Sequence, residues 1–265
     1  MKRTRRTRSL LEIYGLLYNR FGPRHWWPGD TKLEIIIGAI LTQNTAWGNA
    51  GKAIANLKKQ RLLNIKALSG ISEKKLAGLI RPAGYYNIKS RRIKNFLAFL
   101  NENNNGSIGK MFKTETQCLR ENLLSVNGIG PETADSILLY AGEKPVFVVD
   151  AYTKRIFSRH GYLKEGVDYA ETQAVFLKNL PVDTKLFNEY HALIVELGKK
   201  LCKSKKPLCK ECPIRRVKND RRTNTETRTD KTGAGKRSAS TKKGTTSKET
   251  TARGNSKTSE LHEMQ

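Results

Sequence analysis

Apolar residues recur at three-to-four spacing in ten segments between Leu10 and Cys202, and this period is the strongest constraint on the fold. Typical segments are LLEIYGLLYNRF, KLEIIIGAILTQ and TKLFNEYHALIVELGKKLC. Glycine- and proline-containing breaks separate the segments at Pro28-Gly29, Pro82-Ala83-Gly84, Asn127-Gly128, Gly161 and Pro181. One short stretch, KPVFVV, has the composition of a β-strand. The sequence therefore predicts an all-α fold of about ten helices joined by short loops.

The charge of the chain is strongly positive, with 50 Lys or Arg against 24 Asp or Glu and a net charge of +26. Residues 213–265 hold 14 Lys or Arg and 6 Asp or Glu, so +18 of this charge belongs to the first 212 residues. An excess of this size outside the tail indicates a polyanionic partner such as nucleic acid. Residues 218–265 are rich in Thr, Ser, Lys and Gly, which predicts a disordered basic tail.

No segment has the pattern of a membrane span. The longest apolar run, IIIGAIL at residues 35–41, is far shorter than the roughly 20 residues that a spanning helix needs. The N-terminal segment MKRTRRTRSL is basic and lacks the apolar stretch of a signal peptide. We therefore expect a cytoplasmic, nucleoid-associated protein without a membrane part, and a monomer by default.

The segment LLSVNGIGPETADSILLYAGEKPVFVVDAYTKRI, from Leu123 to Ile156, contains the most informative motifs. Gly128 and Gly130 flank one apolar residue between two helical segments, which permits a tight turn with positive φ. Such a turn brings backbone N–H groups to the next helix N-terminus, where they can bind a phosphate. Asp150 follows twenty residues after Gly130 in the apolar context VFVVDAY. The alternatives are a structural turn for the glycines and a helix N-cap for Asp150.

These motifs resemble the helix-hairpin-helix (HhH-GPD) DNA glycosylase superfamily, the endonuclease III-like base-excision repair enzymes. Further matches are GAILTQNT, IRPAGYYNIKSRRIKNF and EYHALIVELGKKLC, and the resemblance covers residues 10–212. It implies two helical domains with a DNA-binding cleft between them. One would combine residues 1–30 and 144–217, the other would be residues 31–143 with the hairpin at about 123–140, and residues 218–265 would be the tail.

The resemblance also implies roles for individual residues. Asp150 would be the catalytic carboxylate, which stabilises the sugar cation as the base departs. Gln43, in LTQNT, would wedge into the duplex where the base has been flipped out. A DNA phosphate would be held, directly or through a bound monovalent cation, by the backbone of Asn127, Gly128, Ile129 and Gly130.

One position departs from the bifunctional members of the family. In those enzymes a lysine begins the helix after the hairpin, and its amine forms a Schiff base that leads to strand cleavage. This chain has Glu132 there, and a carboxylate cannot form an imine. The sequence therefore predicts a monofunctional glycosylase that leaves an abasic site.

Three cysteines, Cys202, Cys209 and Cys212, match the first three ligands of the family's [4Fe–4S] loop. The fourth ligand position holds Lys218, whereas four thiolates are the usual complement of such a cluster. Two alternatives follow: a [4Fe–4S] cluster with a fourth donor of another kind, or a remnant loop without a cluster. The remaining cysteine, Cys118, lies on a separate helical segment and is expected in the core.

The aromatic residues narrow the resemblance to the 3-methyladenine DNA glycosylase III branch of the family. The motif WWP, an aromatic shortly after LTQNT and the segment RPAGYYN all match that branch. A cationic, planar base would gain from an aromatic face. The implied base pocket consists of Trp26, Trp27, Pro28 and Trp47.

The predicted function is a base-excision repair N-glycosylase acting on alkylated purines in duplex DNA that contains damaged bases. Two alternatives stay open from the sequence. One is an endonuclease III-type glycosylase with lyase activity for oxidised pyrimidines or mismatched bases. The other is a non-catalytic DNA-binding module that keeps the hairpin, against which the intact Asp150 argues.

Overall fold

The computed structural model describes residues 8–215, and every regular element in this range is helical. The first half contains α1 (Leu10–Phe21), α2 (Lys32–Leu41), α3 (Trp47–Lys59), α4 (Ile65–Gly70), α5 (Glu73–Leu79) and α6 (Tyr86–Asn104). The second half contains α7 (Ile108–Met111), α8 (Thr116–Ser125), α9 (Pro131–Ser136), α10 (Ala151–Arg159), α11 (Tyr169–Asn179) and α12 (Thr184–Lys200). A 3₁₀ turn covers Arg81–Ala83, and a π-helical turn at Ile137–Ala141 continues α9.

The predicted strand KPVFVV was wrong, because residues 144–149 form a segment without regular secondary structure and no strand occurs between residues 8 and 215. The apolar run has a different cause. Val146 belongs to one hydrophobic cluster, whereas Phe147, Val148 and Val149 belong to a second one. All four side chains are buried as the chain passes from one cluster to the other, and a segment buried on all sides shows no helical period.

Short polar side chains define where the helices begin. Ser9 and Glu12 form a capping box at the start of α1, and Asp168 and Glu171 form another at the start of α11. Asp150 caps α10 by accepting a hydrogen bond from the Thr153 backbone N–H. These caps fix the positions at which the preceding loops end and the helices begin, including the loop that ends at Asp150.

The hydrophobic interior consists of two clusters. The first draws on residues 33–146, from α2 to the irregular segment after the π-turn. The second draws on α1 together with residues 139–214. Trp27 and Ile35 pack against both clusters, so the loop between α1 and α2 lies at their junction.

The domain limits given above remain a prediction. The proposed tail at residues 218–265 lies outside the described residues. Within residues 8–215, no helix has the length and apolar character required to cross a bilayer.

Candidate active site

Asp150 lies where the irregular segment at residues 144–149 ends and α10 begins. Its Oδ1 accepts hydrogen bonds from the Thr153 backbone N–H at 2.7 Å and from the Thr153 hydroxyl at 2.8 Å. Its Oδ2 faces Nε2 of His191 at 3.5 Å. Burial acts to raise the pKa of Asp150, but His191 and the hydrogen bonds from Thr153 outweigh it, so the pKa lies below its usual value. The Asp150 side chain is 11% exposed and carries its charge at neutral pH, and it also serves as the N-cap of α10.

Two residues that the sequence reasoning missed lie next to Asp150. His191, on α12, is buried, and its Nδ1 is 2.5 Å from the hydroxyl of Tyr140 on the π-turn. Burial, followed by the charges of Asp150 and Glu132, raises the pKa of Tyr140 well above its usual value, so its hydroxyl stays protonated. The available signals were a lone histidine on an apolar helix face and a tyrosine in SILLYAG, and neither pattern is specific.

Glu132, at the position of the family's lysine, lies in the first turn of α9, where its side chain reaches solvent from a site largely surrounded by protein. The surrounding protein still raises its pKa to about 7, first through desolvation and then through the charge of Asp150, while His191 and Lys154 act in the opposite direction. Asp150 and Glu132 are thus electrostatic neighbours with opposite pKa shifts, a pattern typical of paired carboxylates in active sites.

The predicted aromatic residues come together at the junction of the two hydrophobic clusters. The ring centroids of Trp27 and Trp47 are 5.0 Å apart, those of Trp26 and Trp27 are 5.4 Å apart, and those of Trp26 and Trp47 are 5.9 Å apart. Tyr140 joins them, with its ring centroid 4.9 Å from that of Trp27. We call these four residues the aromatic cluster, and Tyr140 connects it directly to His191.

The three indoles meet at steep angles. Their planes are inclined by 60° to 85° to one another, so no two of them form a parallel pair that could sandwich a planar base. Trp27 packs against both hydrophobic clusters, and a Cβ on Gly38 would lie 3.2 Å from its Nε1 and 3.3 Å from Cζ3 of Trp47. Trp26 is contacted on its ring by the ammonium of Lys199 at 5.8 Å. Pro28 is exposed beside them.

The hairpin lies between α8 and α9. Gly128 has a φ of +94°, as the motif predicts, whereas Gly130 has a φ of −94° and is the residue before α9. A side chain at residue 128 would also collide with Arg92. Ile129 N–H is bonded to the Val126 carbonyl, and the Asn127 carbonyl accepts a hydrogen bond from Asn95. Gly130 provides no side-chain cap, so the first amides of α9 lack one.

Gln43 lies in the turn after α2 and is bonded to the hairpin. Its Nε2 donates to the Gly128 carbonyl and to the Thr133 hydroxyl, both at 2.9 Å, and its Oε1 accepts from Arg92 at 2.5 Å. The sequence placed Gln43 at a wedge position, and in this structure its amide joins the turn to the hairpin.

A buried lysine stabilises the same turn. Lys89 on α6 is 1% exposed, and its ammonium donates to the carbonyls of Leu41 and Ala83 and to the hydroxyl of Thr45. Burial lowers its pKa to about 8. Because three oxygens satisfy its three N–H groups, Lys89 fixes the turn that carries Gln43 rather than providing a free amine.

A second buried charge fixes α9. Asp135 is fully buried, and Arg120 of α8 donates to both of its oxygens, at 2.6 and 3.1 Å. Tyr169 and Gln173 of α11 also donate to it, each at 2.7 Å. The helix that carries Glu132 is therefore held between elements of both hydrophobic clusters.

With this geometry established, the comparisons with known proteins become informative. Residues 37–181 match the family described as HhH-GPD superfamily base excision DNA repair protein. A putative DNA repair glycosylase of Methanocaldococcus jannaschii is 51% identical over 208 residues, which cover 78% of this chain and 94% of that protein. The chain belongs to the HhH-GPD superfamily. It is a DNA glycosylase of that superfamily, which confirms the family predicted from the hairpin and Asp150.

Solved structures of HhH-GPD proteins confirm the fold. The chain is similar to 3-methyladenine DNA glycosylase of H. pylori bound to 1,N6-ethenoadenine, with 32% identity, a TM-score of 0.63 and coverage of 71% of this chain and 96% of that one. It also matches a trapped endonuclease III–DNA covalent intermediate with a TM-score of 0.67 and 20% identity, over 77% of this chain and 91% of that one. The all-α, endonuclease III-like architecture predicted from the sequence is therefore correct.

The cysteine loop, residues 201–215, carries three of the predicted cluster ligands within the described part of the chain. Cys202 is buried, Cys209 is exposed, Cys212 is half-buried, and the fourth position, Lys218, lies outside the described residues. Between residues 8 and 215, no three His, Cys, Asp or Glu residues are arranged to hold a metal ion. Arg159 contacts the Cys202 thiol at 3.4 Å. A bound [4Fe–4S] cluster stays a prediction. Cys118 is exposed, contrary to expectation.

Proposed function

We propose that this protein is a monofunctional DNA N-glycosylase that hydrolyses the N-glycosidic bond of alkylated purines, such as 3-methyladenine, in duplex DNA. The observation that carries the proposal is the position of Asp150, a largely buried and ionised carboxylate linked through His191 and Tyr140 to a cluster of three tryptophans. A fixed negative charge and an aromatic surface are the two requirements for removing a planar, positively charged base.

Asp150 provides the electrostatic part of the reaction. As the bond between C1′ and the base breaks, the sugar acquires positive charge, and a preorganised carboxylate stabilises that charge more than it stabilises the ground state. The lowered pKa of Asp150 keeps this charge in place at neutral pH. Water then adds to C1′, the hydroxyl remains on the sugar, and its proton is lost to solvent. An alkylated purine leaves as a neutral base, so little general-acid assistance is needed.

The aromatic cluster provides selectivity. A cation on a desolvated aromatic face gains about 0.5–2 kcal/mol, and stacking adds about 1–3 kcal/mol per base. The indoles meet edge to face, which favours stacking of the base on one exposed face over insertion between two rings. In this proposal Trp26, Trp47 and the exposed Pro28 contact the base, and Trp27, which packs against both hydrophobic clusters, supports them.

The hairpin and Gln43 provide the DNA contacts in this proposal. The uncapped first turn of α9 and the positive-φ turn at Gly128 direct amides toward a phosphate, directly or through a monovalent cation. Gln43 fills the gap left by the flipped base. To do so, it exchanges its hydrogen bonds to Gly128 and Thr133 for contacts inside the duplex.

The absence of lyase chemistry follows from Glu132. Its carboxylate cannot form a Schiff base with the abasic sugar. The two lysines nearest in sequence to Asp150 are committed to backbone carbonyls: Lys144 donates to Thr114 at 2.9 Å and Lys154 donates to Val167 at 3.2 Å. Neither is placed as a free amine, which supports a monofunctional enzyme.

One assay tests the substrate and the reaction together. Duplexes that carry 3-methyladenine, thymine glycol or a G:T mismatch are incubated with the protein, and base release is scored with and without alkali. The proposal expects release of 3-methyladenine, with strand cleavage only after alkali. Cleavage without alkali on thymine glycol or G:T would instead identify an endonuclease III-type lyase, and tight binding without release would identify a binding module.

Borohydride trapping tests the missing lysine independently of the substrate. With a duplex that contains an abasic site, we expect no covalent adduct from this protein and a clear adduct from a lysine-bearing endonuclease III run in parallel. A trapped adduct, followed by peptide mapping, would overturn the monofunctional assignment and identify the lysine responsible.

A further inference from the structure

We propose that His191 and Tyr140 form a positioning pair that orients Asp150 and couples it to the aromatic cluster. The inference deepens the proposed function, since it rests on Asp150 as the catalytic carboxylate. Neither residue touches the reacting atoms in this proposal. Both act through the carboxylate, and they come from elements far apart in the chain, the π-turn after α9 and the middle of α12.

The first support is the way the two oxygens of Asp150 are divided. Thr153 holds Oδ1 with both its backbone N–H and its hydroxyl, which is the ordinary arrangement of a helix N-cap. A cap needs only that oxygen. The other oxygen, Oδ2, faces Nε2 of His191 at 3.5 Å. The imidazole therefore restrains the half of the carboxylate that the cap leaves free.

The second support is the burial of His191. The residue is 5% exposed, and its Nε2 has no hydrogen-bond partner among residues 8–215. A buried polar nitrogen without a partner is costly, so it is retained where it has a task. The separation of 3.5 Å is too long for a strong hydrogen bond. Contacts of this kind tighten when substrate binds, which makes Asp150 Oδ2 the natural partner of Nε2 in the DNA complex.

The third support is the position of the proton. The Tyr140 hydroxyl keeps its proton and lies 2.5 Å from His191 Nδ1, so it can donate to that nitrogen. When Nδ1 of a neutral imidazole accepts, Nε2 carries the hydrogen, and that hydrogen points toward the carboxylate. Tyr140 thus sets the tautomer that His191 needs to hold Asp150, as a second hydrogen bond sets the tautomer of histidines in catalytic triads.

The fourth support is the location of Tyr140. It lies in a π-helical turn, a rare feature that is frequent at functional sites. Its ring centroid is 4.9 Å from that of Trp27 and its hydroxyl contacts His191. One side chain therefore touches both the aromatic cluster and the residue that holds the carboxylate, so the base-binding surface and the catalytic charge share a rigid support.

The test compares His191→Gln and Tyr140→Phe with Tyr190→Phe as the matched control. Tyr190 is also a buried tyrosine that makes one hydrogen bond, to the Leu10 carbonyl, and it lies outside the site. Single-turnover release of an alkylated purine should fall about 100-fold in His191→Gln and about 10-fold in Tyr140→Phe. Duplex affinity should be unchanged in both, and Tyr190→Phe should keep the full rate.

The pH profile distinguishes positioning from a merely structural role. Besides His191, the titratable groups around Asp150 are Glu132 on α9, Tyr140 on the π-turn and Tyr152 on α10. His191 lowers the pKa of Asp150, so its removal should move the acidic limb of the rate profile to higher pH. The measurement is repeated with Glu132→Gln in both backgrounds, which removes the titration of Glu132. If the acidic limb does not move and the rate is unchanged in His191→Gln, the proposed positioning role of His191 and Tyr140 is wrong.

Two further outcomes distinguish a failure of this inference from a failure of the proposed function. If Asp150→Asn retains base release, the catalytic assignment fails. If Asp150→Asn is inactive but His191→Gln equals the control, only the pair fails. Nitrogen-15 chemical shifts of His191 report its tautomer and do not depend on enzyme activity. We expect the Nε2–H tautomer in the unaltered protein and a mixture in Tyr140→Phe, and identical tautomers in both would contradict the role of Tyr140.

Discussion

Two regions of this protein match the same family motifs, and the structure treats them differently. Around Asp150, residues from the π-turn, α10 and α12 converge on one carboxylate, and Tyr140 links them to three tryptophans. In the cysteine loop, the spacing of three ligands is kept, but no three His, Cys, Asp or Glu residues between residues 8 and 215 are arranged to hold a metal ion. Conservation of a spacing therefore does not mean conservation of a site, because a site also needs partners from elsewhere in the chain.

The largest effect should come from the centre of the first region. Asp150→Asn removes the charge beside C1′, and we expect the single-turnover rate of base release to fall by about 10³-fold. Asparagine also caps helices well, so the unfolding temperature should change little. Duplex affinity, measured by fluorescence anisotropy, serves as the control and should stay close to that of the unaltered protein. An active Asp150→Asn would remove Asp150 from the mechanism.

The next largest effect should differ between two members of the aromatic cluster, Trp27 and Trp26. Trp27 packs against both hydrophobic clusters and touches Trp26, Trp47 and Tyr140, so Trp27→Ala should cost about 3 kcal/mol of unfolding free energy. Trp26 has fewer packing partners, and Trp26→Ala should mainly weaken discrimination between methylated and normal adenine, by about 10-fold. Denaturant unfolding and competition for excision measure the two effects. Equal losses of stability would contradict this division.

A smaller effect should appear in the dependence of stability on pH. The pKa of Glu132 is about 7 in the folded protein, above the value of an unfolded carboxyl, so the folded state binds this proton more tightly. The associated stabilisation is present at low pH and is lost as the pH rises through about 7. Glu132→Gln should therefore gain stability relative to the unaltered protein between about pH 5 and about pH 8. A difference in unfolding temperature that is constant across this range would show that Glu132 titrates normally.

The smallest effect should come from the cysteine loop. Because the described residues provide no ligand set, we expect anaerobically purified protein to lack the visible absorbance of an iron–sulfur cluster. Cys209→Ser, at an exposed position, should leave base release and unfolding temperature unchanged. If the unaltered protein contains stoichiometric iron and sulfide, and Cys209→Ser loses both, a cluster is established. The cysteine loop would then form a site, as the region around Asp150 does.

Much of the fold was predictable because its signals are local. Helical periodicity, the capping residues and the breaks at glycine and proline depend on neighbours a few positions apart, and the family motifs added the architecture. The helix count was lower than the twelve α-helices found in residues 8–215, since short helices such as α7 carry too few periods to be recognised. KPVFVV was misread for a related reason, because an apolar run of that length fits either a strand or a segment buried between two cores.

The sequence by itself determined the family, the hairpin, the aspartate and the glutamate at the lysine position, since each is a residue type at a fixed spacing. Only the tertiary structure decided that His191 faces Asp150 and is bonded to Tyr140, that Lys89 and Asp135 are buried and hydrogen-bonded, and that the indoles of Trp27 and Trp47 meet edge to face. These facts depend on contacts between residues up to 51 positions apart, as in the pair Tyr140 and His191. Local patterns do not contain such contacts, because burial and the loss of competing water hydrogen bonds arise only when the helices pack.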